Sequence, residues 1–319
     1  MSSRPSSFSL SQPGPLRLYS TQELIGMPAP TWLIDPIIPA GGFVALVGQP
    51  GAGKSFIALD MAMSVAAGGF WQGHPVAQGY VLYVSAEGGT GVGKRAKAWL
   101  QTKGLTPRDA DMAWMVEPVY VRPGSDGMNT LLTRLEEELV QVPTLIVLDT
   151  LARCLEGDEN QQEDMGRFVA GIDVLRHSYK ATVLVVHHTR KDGEIERGSS
   201  SFRGAADTMM MAKRHHTSGP ILLSCTKQKD AEEFKEMTLR LKLIPEVDSC
   251  VVESSRKEQK DQRLQSVLRY LQLDGPLTWD EWSIIAESRG IPKPTFQRYF
   301  VILRENHEII KKNEKWQAV

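Results

Sequence analysis

"GQPGAGKS", residues 48–55, is the stretch from which the rest of the chain is read. It satisfies G-x-x-x-x-G-K-[ST] and stands between an apolar run at 43–47 and a helical pattern carrying Ile57, Ala58 and Met61, the strand–loop–helix setting that the motif requires. Glycines let backbone N–H groups turn inward around phosphate oxygens, and the start of the following helix adds partial positive charge. Lys54 is spaced to reach the β and γ phosphates, and the Ser55 hydroxyl to ligate Mg²⁺. Gly48, Gln49, Pro50, Gly51, Ala52, Gly53, Lys54, Ser55 and Phe56 are therefore the expected cradle for ATP. The competing reading is a glycine-rich turn that binds nothing.

Three further apolar runs end on groups that suit such a cradle. "TLIVLDT", residues 144–150, ends on Asp149, where a P-loop enzyme keeps the acid that holds Mg²⁺; the bland alternative is a capping Asp after a core strand. "YVSAEGG", residues 83–89, puts Glu87 just past a strand, either as an exposed loop acid or as a catalytic carboxylate whose partner another strand must supply. "VLVVHHTRK", residues 183–191, ends on His187 and His188. No third ligand stands at metal spacing, which disfavours zinc. The pair is either a hydrogen-bonded strand terminus or a γ-phosphate sensor in which His187 reports phosphate loss to the loop 189–204.

Outward from residue 41, short apolar runs alternate with helical patterns: 43–47, a helix from 55, 80–85, a helix over 93–103, 145–149, a helix over 161–179, and 182–187. That order predicts an α/β fold with a mainly parallel, helix-covered central sheet. Runs at 207–211, 219–226 and 236–244 follow with only turns between them, so antiparallel strands should finish the sheet.

A chain of 319 residues exceeds the usual size of one core, and a second unit is expected. Residues 253–262 are polar without apolar period, a linker or helix start. After a linker over 253–260, residues 261–319 space three apolar-faced helices and a hairpin, the order of a winged helix-turn-helix. In it Lys293, Gln297 and Arg298 face away from Phe296, Phe300 and Leu303. Residues 256–319 carry a formal charge of +3 and residues 1–255 one of -4, the sign that DNA contact requires. DNA binding, docking of a protein or ring neighbour, and a structural cap all stay open for this unit.

The net charge of -1 implies no overall attraction to nucleic acid or membrane, so any such binding is local. Three cysteines without CxxC spacing argue against a disulfide framework or zinc site and fit a reducing cytoplasm. Residues 1–19 lack an apolar signal core and are expected to be a disordered leader; no run reaches the length of a membrane span.

Taken together, residues 20–55, "VLYVSAEGG" at 81–89, "LIVLDTLARCLEGDENQQEDMG" at 145–166 and "VVHHTRK" at 185–191 resemble the RecA/DnaB superfamily of P-loop ATPases, and within it the RepA-like hexameric replicative helicases. The resemblance covers residues 20–245 or so, with the RecA-like ATPase domain set at 20–252. It implies a homo-oligomer, usually of six subunits, with ATP between neighbours and single-stranded DNA in the central hole. It also implies that Glu87, one strand away from Asp149, is the general base, because the Asp149 strand ends in Asp-Thr and lacks its own glutamate. In such rings cations from the adjacent subunit complete the site. "LLSCTKQKD" offers Lys227 and Lys229, a solvated strand end being the alternative and Arg203 a competing finger. Arg95 resembles a residue that packs near the nucleotide base, an ordinary surface arginine being the other reading. Arg190, Lys191 and Arg197, among glycines and serines, suit a phosphate backbone. The winged helix then adds duplex DNA or a replication protein as a possible partner. No domain is expected ahead of the ATPase, which leaves out a fused primase. The rival functions are a RecA-like recombination or repair accessory and an ATP-switched DNA-binding regulator.

Overall fold

A computed structural model of the chain describes residues 18–27, 31–87, 89–189, 200–254 and 256–319, the side chains of 256–258 aside. Its centre is β3 (Phe43–Gly48), whose six residues are all buried. Running parallel to it are β6 (Val81–Ser85), β7 (Ala113–Met115), β8 (Leu145–Asp149), β9 (Thr182–His188) and β10 (Thr208–Lys213). The continuous apolar runs of β3, β6 and β8 follow from burial on both faces. Antiparallel β11 (Ile221–Gln228), β12 (Met237–Ile244) and β13 (Ser249–Glu253) complete a nine-stranded sheet of order β13-β12-β11-β10-β3-β9-β8-β6-β7. The expected mainly parallel sheet with antiparallel late strands is therefore present, with β13 and the short edge strand β7 in addition.

Strand side chains alternate between the two faces. Leu46, Tyr83, Val147 and Val186 pack against α2 (Lys54–Ala67) and α3 (Gly89–Lys103). Val47, Leu148 and Val185 pack on the opposite side, where α4 (Asp126–Glu138), α5 (Leu151–Cys154), α6 (Gln162–Tyr179) and α7 (Ser200–Ala205) supply Leu131, Cys154, Phe168 and Phe202. At the start of the described chain, α1 (Thr21–Ile25) is closed by a Ser20/Glu23 capping box and leaves Leu24 and Ile25 exposed.

A small antiparallel sheet, β2-β1-β5-β4, is built from β1 (Trp32–Ile34), β2 (Ile38–Pro39), β4 (Gly69–Trp71) and β5 (His74–Val76). Strands this short carry too few residues to show alternation, which is why periodicity did not predict them.

Residues 256–319 form α8 (Arg256–Asp274), α9 (Trp279–Ser288), α10 (Lys293–Glu305) and a hairpin of β14 (Ile309–Lys312) and β15 (Lys315–Ala318). Trp282, Phe296, Val267 and Leu271 are the centre of their own core, and Trp282 Nε1 donates to the Val267 carbonyl at 2.9 Å. The range 253–260, expected as a linker, begins on the last residue of β13 and is helical from Arg256. The alternative reading of this stretch, a helix start, is the one that the backbone follows from Arg256.

Polar contacts tie this unit to the small sheet. Arg269 pairs with Asp35, and Arg263 lies over the Phe70 ring at 4.0 Å. Gln72 binds on both sides: its amide nitrogen donates to buried Asp60 of α2 and to the Val252 carbonyl, and its oxygen accepts from the Ser254 N–H and hydroxyl. Asp60 also accepts from Trp99 Nε1 of α3 at 2.6 Å. Among the described residues, no helix is long and apolar enough to cross a membrane.

Because Trp282 fills the centre of a core separate from the sheet, Trp282→Ala should cost about 3–5 kcal/mol in the C-terminal unit. A urea titration followed by circular dichroism should show the unfolding of α8 to α10 moved to lower denaturant.

Candidate functional site

The cradle loop joins β3 to α2. Gly53 has φ +90°, a left-handed conformation that favours glycine, and a Cβ there would come within 2.6 Å of the Ile221 side chain. α2 then starts without a side-chain cap, leaving its N-terminal amides directed at the loop. Gly48 sits where β3 and β10 approach closely; a Cβ would meet the Ala212 carbonyl oxygen at 2.4 Å.

Lys54 is buried, and its Nζ donates to the Gly48 and Gln49 carbonyls, both at 2.9 Å, and lies 3.2 Å from His188 Nδ1. Burial pulls its pKa down to about 8, against the opposing pull of Asp149 and Glu87. The Ser55 hydroxyl donates to Asp149 Oδ1 at 3.0 Å, and the Tyr83 hydroxyl to Oδ2 at 2.8 Å. Burial raises the Asp149 pKa, and both hydroxyls work against that shift.

Strand register brings Glu87 to the same place. Ser85 pairs with Asp149, so the chain two residues past Ser85 stands beside the end of β8. There Thr150 Oγ1 donates to Glu87 Oε1 at 2.9 Å. Lys54, Ser55, Glu87, Thr150, Arg95 and His188 line one cleft of about 320 Å³.

This donor set fits nucleotide and magnesium. One carboxylate and one hydroxyl are hard oxygen ligands of the kind Mg²⁺ takes when phosphates and waters fill its other positions. Among the described residues no cluster of three His, Cys, Asp or Glu exists that would suit zinc.

Of the two histidines, His187 lies on the face away from α2. It is fully buried, with its ring 5.3 Å from that of Phe202. His188, not the His187 named from the sequence, is the one beside Lys54. The run "TVLVVHH" is apolar on both faces and therefore gives no parity signal. Arg95 reaches the cleft with its guanidinium 4.6 Å over the Phe56 ring.

Lys227, Lys229 and Arg203 gather elsewhere. Gln228 pairs with Thr208, which pairs with Val44, four residues before Gly48. At about 3.3 Å per residue, this end of β11 lies ~13 Å or more from the subunit's own cradle. Lys227 Nζ donates to the Arg203 and Gly204 carbonyls, Arg203 Nη2 donates to the Thr226 carbonyl, and Lys229 stands 3.5 Å from Asp207.

Arg190, Lys191 and Arg197 lie outside the described residues. Lys293, Gln297 and Arg298 are exposed on α10, with Lys293 Nζ 5.2 Å over the Trp279 ring and Arg298 on the Thr295 hydroxyl. Thr150, Tyr83 and Arg214 of the site escaped the sequence reading. Arg214, just past β10, lines the cleft while its Nε donates to the Gly219 carbonyl; the basic run "KRHH" at a strand end was its only signal. Tyr83 looked like a core aromatic.

No curated protein matches the chain. Among solved structures, that of the RadB recombinase is similar with a TM-score of 0.48 and 15% identity, over 68% of this chain and 92% of that one. A family model described as an AAA domain, AAA_25, matches residues 20–194. That match takes in the cradle loop, Glu87, Asp149 and both histidines, and the chain belongs to this family.

Proposed function

We propose that the protein is an ATP-hydrolysing, ring-forming DNA helicase or translocase of the plasmid or phage replication type, with ATP bound between subunits. One observation carries this reading. The cleft holds a complete set of groups for binding ATP and activating water, while the cationic cluster of Lys227, Lys229 and Arg203 stands at the far end of the same sheet. Those cations can serve a cleft only if it belongs to a neighbouring subunit.

In this mechanism the loop amides and Lys54 hold the β and γ phosphates, and Lys54 exchanges its two loop carbonyls for phosphate oxygens. Ser55 and Asp149 would hold Mg²⁺, which when bound neutralises phosphate charge. Glu87, fixed through one oxygen by Thr150, uses the other to orient water and takes its proton as the water oxygen attacks the γ phosphorus. The bond from phosphorus to the β,γ-bridging oxygen breaks, and ADP leaves with the electron pair. His188 stands 3.2 Å from Lys54 at the end of β9, which suits it to report loss of the γ phosphate. Lys227 and Lys229, with Arg203 as the competing finger, neutralise charge at the neighbour's transition state.

The basic Gly/Ser-rich stretch holding Arg190, Lys191 and Arg197 supports contact with single-stranded DNA. The helix order of residues 256–319 and the exposed Lys293, Gln297 and Arg298 support a winged helix that touches duplex DNA or a replication protein.

A forked-DNA strand-displacement assay tests the reading: wild type should unwind with ATP, and Lys54→Ala should not. Glu87→Gln should still bind ATP while hydrolysis falls ~10²–10⁴-fold. Intact hydrolysis without displacement would remove the helicase assignment.

The trans placement predicts complementation. Lys54→Ala and the double variant Lys227→Ala/Lys229→Ala should each be nearly inactive, yet a mixture of the two should recover ATPase activity, because one variant's fingers meet the other's cleft. An inactive mixture would mean that the cations act within one subunit or not at all.

Burial holds the Lys54 pKa down to about 8, and phosphate charge should raise it on binding. Calorimetry at pH 8.5 in buffers of different ionisation enthalpy should show proton uptake, with affinity falling as pH rises past 8. Lys54→Met should abolish the uptake.

A further inference from the structure

We infer that Tyr83 is a positioning residue for Asp149, fixing one carboxylate oxygen so that the other stays turned to Ser55 and the metal side of the cleft. This rests on the reading of Ser55 and Asp149 as the magnesium-side pair.

Tyr83 is the central residue of β6. It pairs with Val147 of β8, so its ring lies on the α2 face, two residues short of Asp149 on the next strand. From there the phenol reaches Asp149 Oδ2 at 2.8 Å while Ser55 occupies Oδ1 at 3.0 Å. The torsion that orients a carboxylate is broad and roughly two-fold when left alone. Two hydroxyl donors placed on opposite oxygens narrow it to one setting. Ser55 must serve the metal when nucleotide is bound, which leaves Tyr83 as the partner that stays.

The surroundings suit that task. Asp149 is buried, so an unbonded oxygen there would be costly. A phenol satisfies it without adding charge. On the other side, Trp114 of β7 pairs in register with Tyr83 and packs against its ring with centroids 5.4 Å apart. The phenol is thus held between an edge tryptophan and the acid.

Tyr83→Phe keeps the ring and its contact with Trp114 and removes only the donor. Mn²⁺ binding to the full chain, read by electron paramagnetic resonance with a non-hydrolysable ATP analogue present, should weaken ~10–100-fold. Affinity for the analogue without metal should be unchanged, and excess Mg²⁺ should restore turnover, which a misfolded variant would not allow. Metal affinity within twofold of wild type, or an equal loss of metal-free binding, would overturn the inference. If wild type itself shows no metal-dependent binding, the underlying assignment of the cleft falls instead.

Discussion

The parallel register of four neighbouring strands is the constraint on which the site depends. Gly48 pairs with His188, Asp149 with Val186, and Ser85 with Asp149, so β3, β9, β8 and β6 all end at one edge. Each strand is apolar until its last residue or two, where the chain leaves the core and a polar side chain becomes affordable. Lys54, Asp149, His188 and Glu87 are far apart in sequence and meet because the strands keep step. A slip of one residue in any of them would turn the terminal group to the opposite face.

The groups at that edge balance one another. Burial alone would drive Lys54 toward its neutral form and Asp149 toward its protonated form. Each is restrained by what it touches: the lysine by nearby carboxylates and loop carbonyls, the aspartate by two hydroxyls. The loop is therefore held in shape without phosphate, its own carbonyls standing in for the ligand's oxygens. Binding then becomes an exchange of partners and needs little reorganisation of the backbone.

How much of this was legible in the chain depended on whether a residue's role is local. The cradle is contiguous, and glycine spacing alone announces it. Asp149 and Glu87 each follow a run too apolar to be anything but a buried strand, so their ends could be placed. That His188 and not His187 stands beside Lys54 was not legible, because choosing between adjacent residues needs a polar–apolar alternation that a doubly buried strand lacks. Tyr83 and Arg214 were missed for a different reason: their partners are Asp149 and the cleft wall, 66 residues away in the first case, and nothing nearby marks them. The small four-stranded sheet escaped because very short strands leave weak patterns.

The contacts around Gln72 bear on where this chain can be divided. One amide side chain joins the middle of the cradle helix, the end of β13 and the entrance to α8. Cutting after Glu253 would strip Gln72 of its Ser254 partners and take from buried Asp35 its Arg269 cation. What looks in sequence like a seam between two modules is in three dimensions a shared footing, and an ATPase core excised at that point would carry an open polar wound beneath its own catalytic helix.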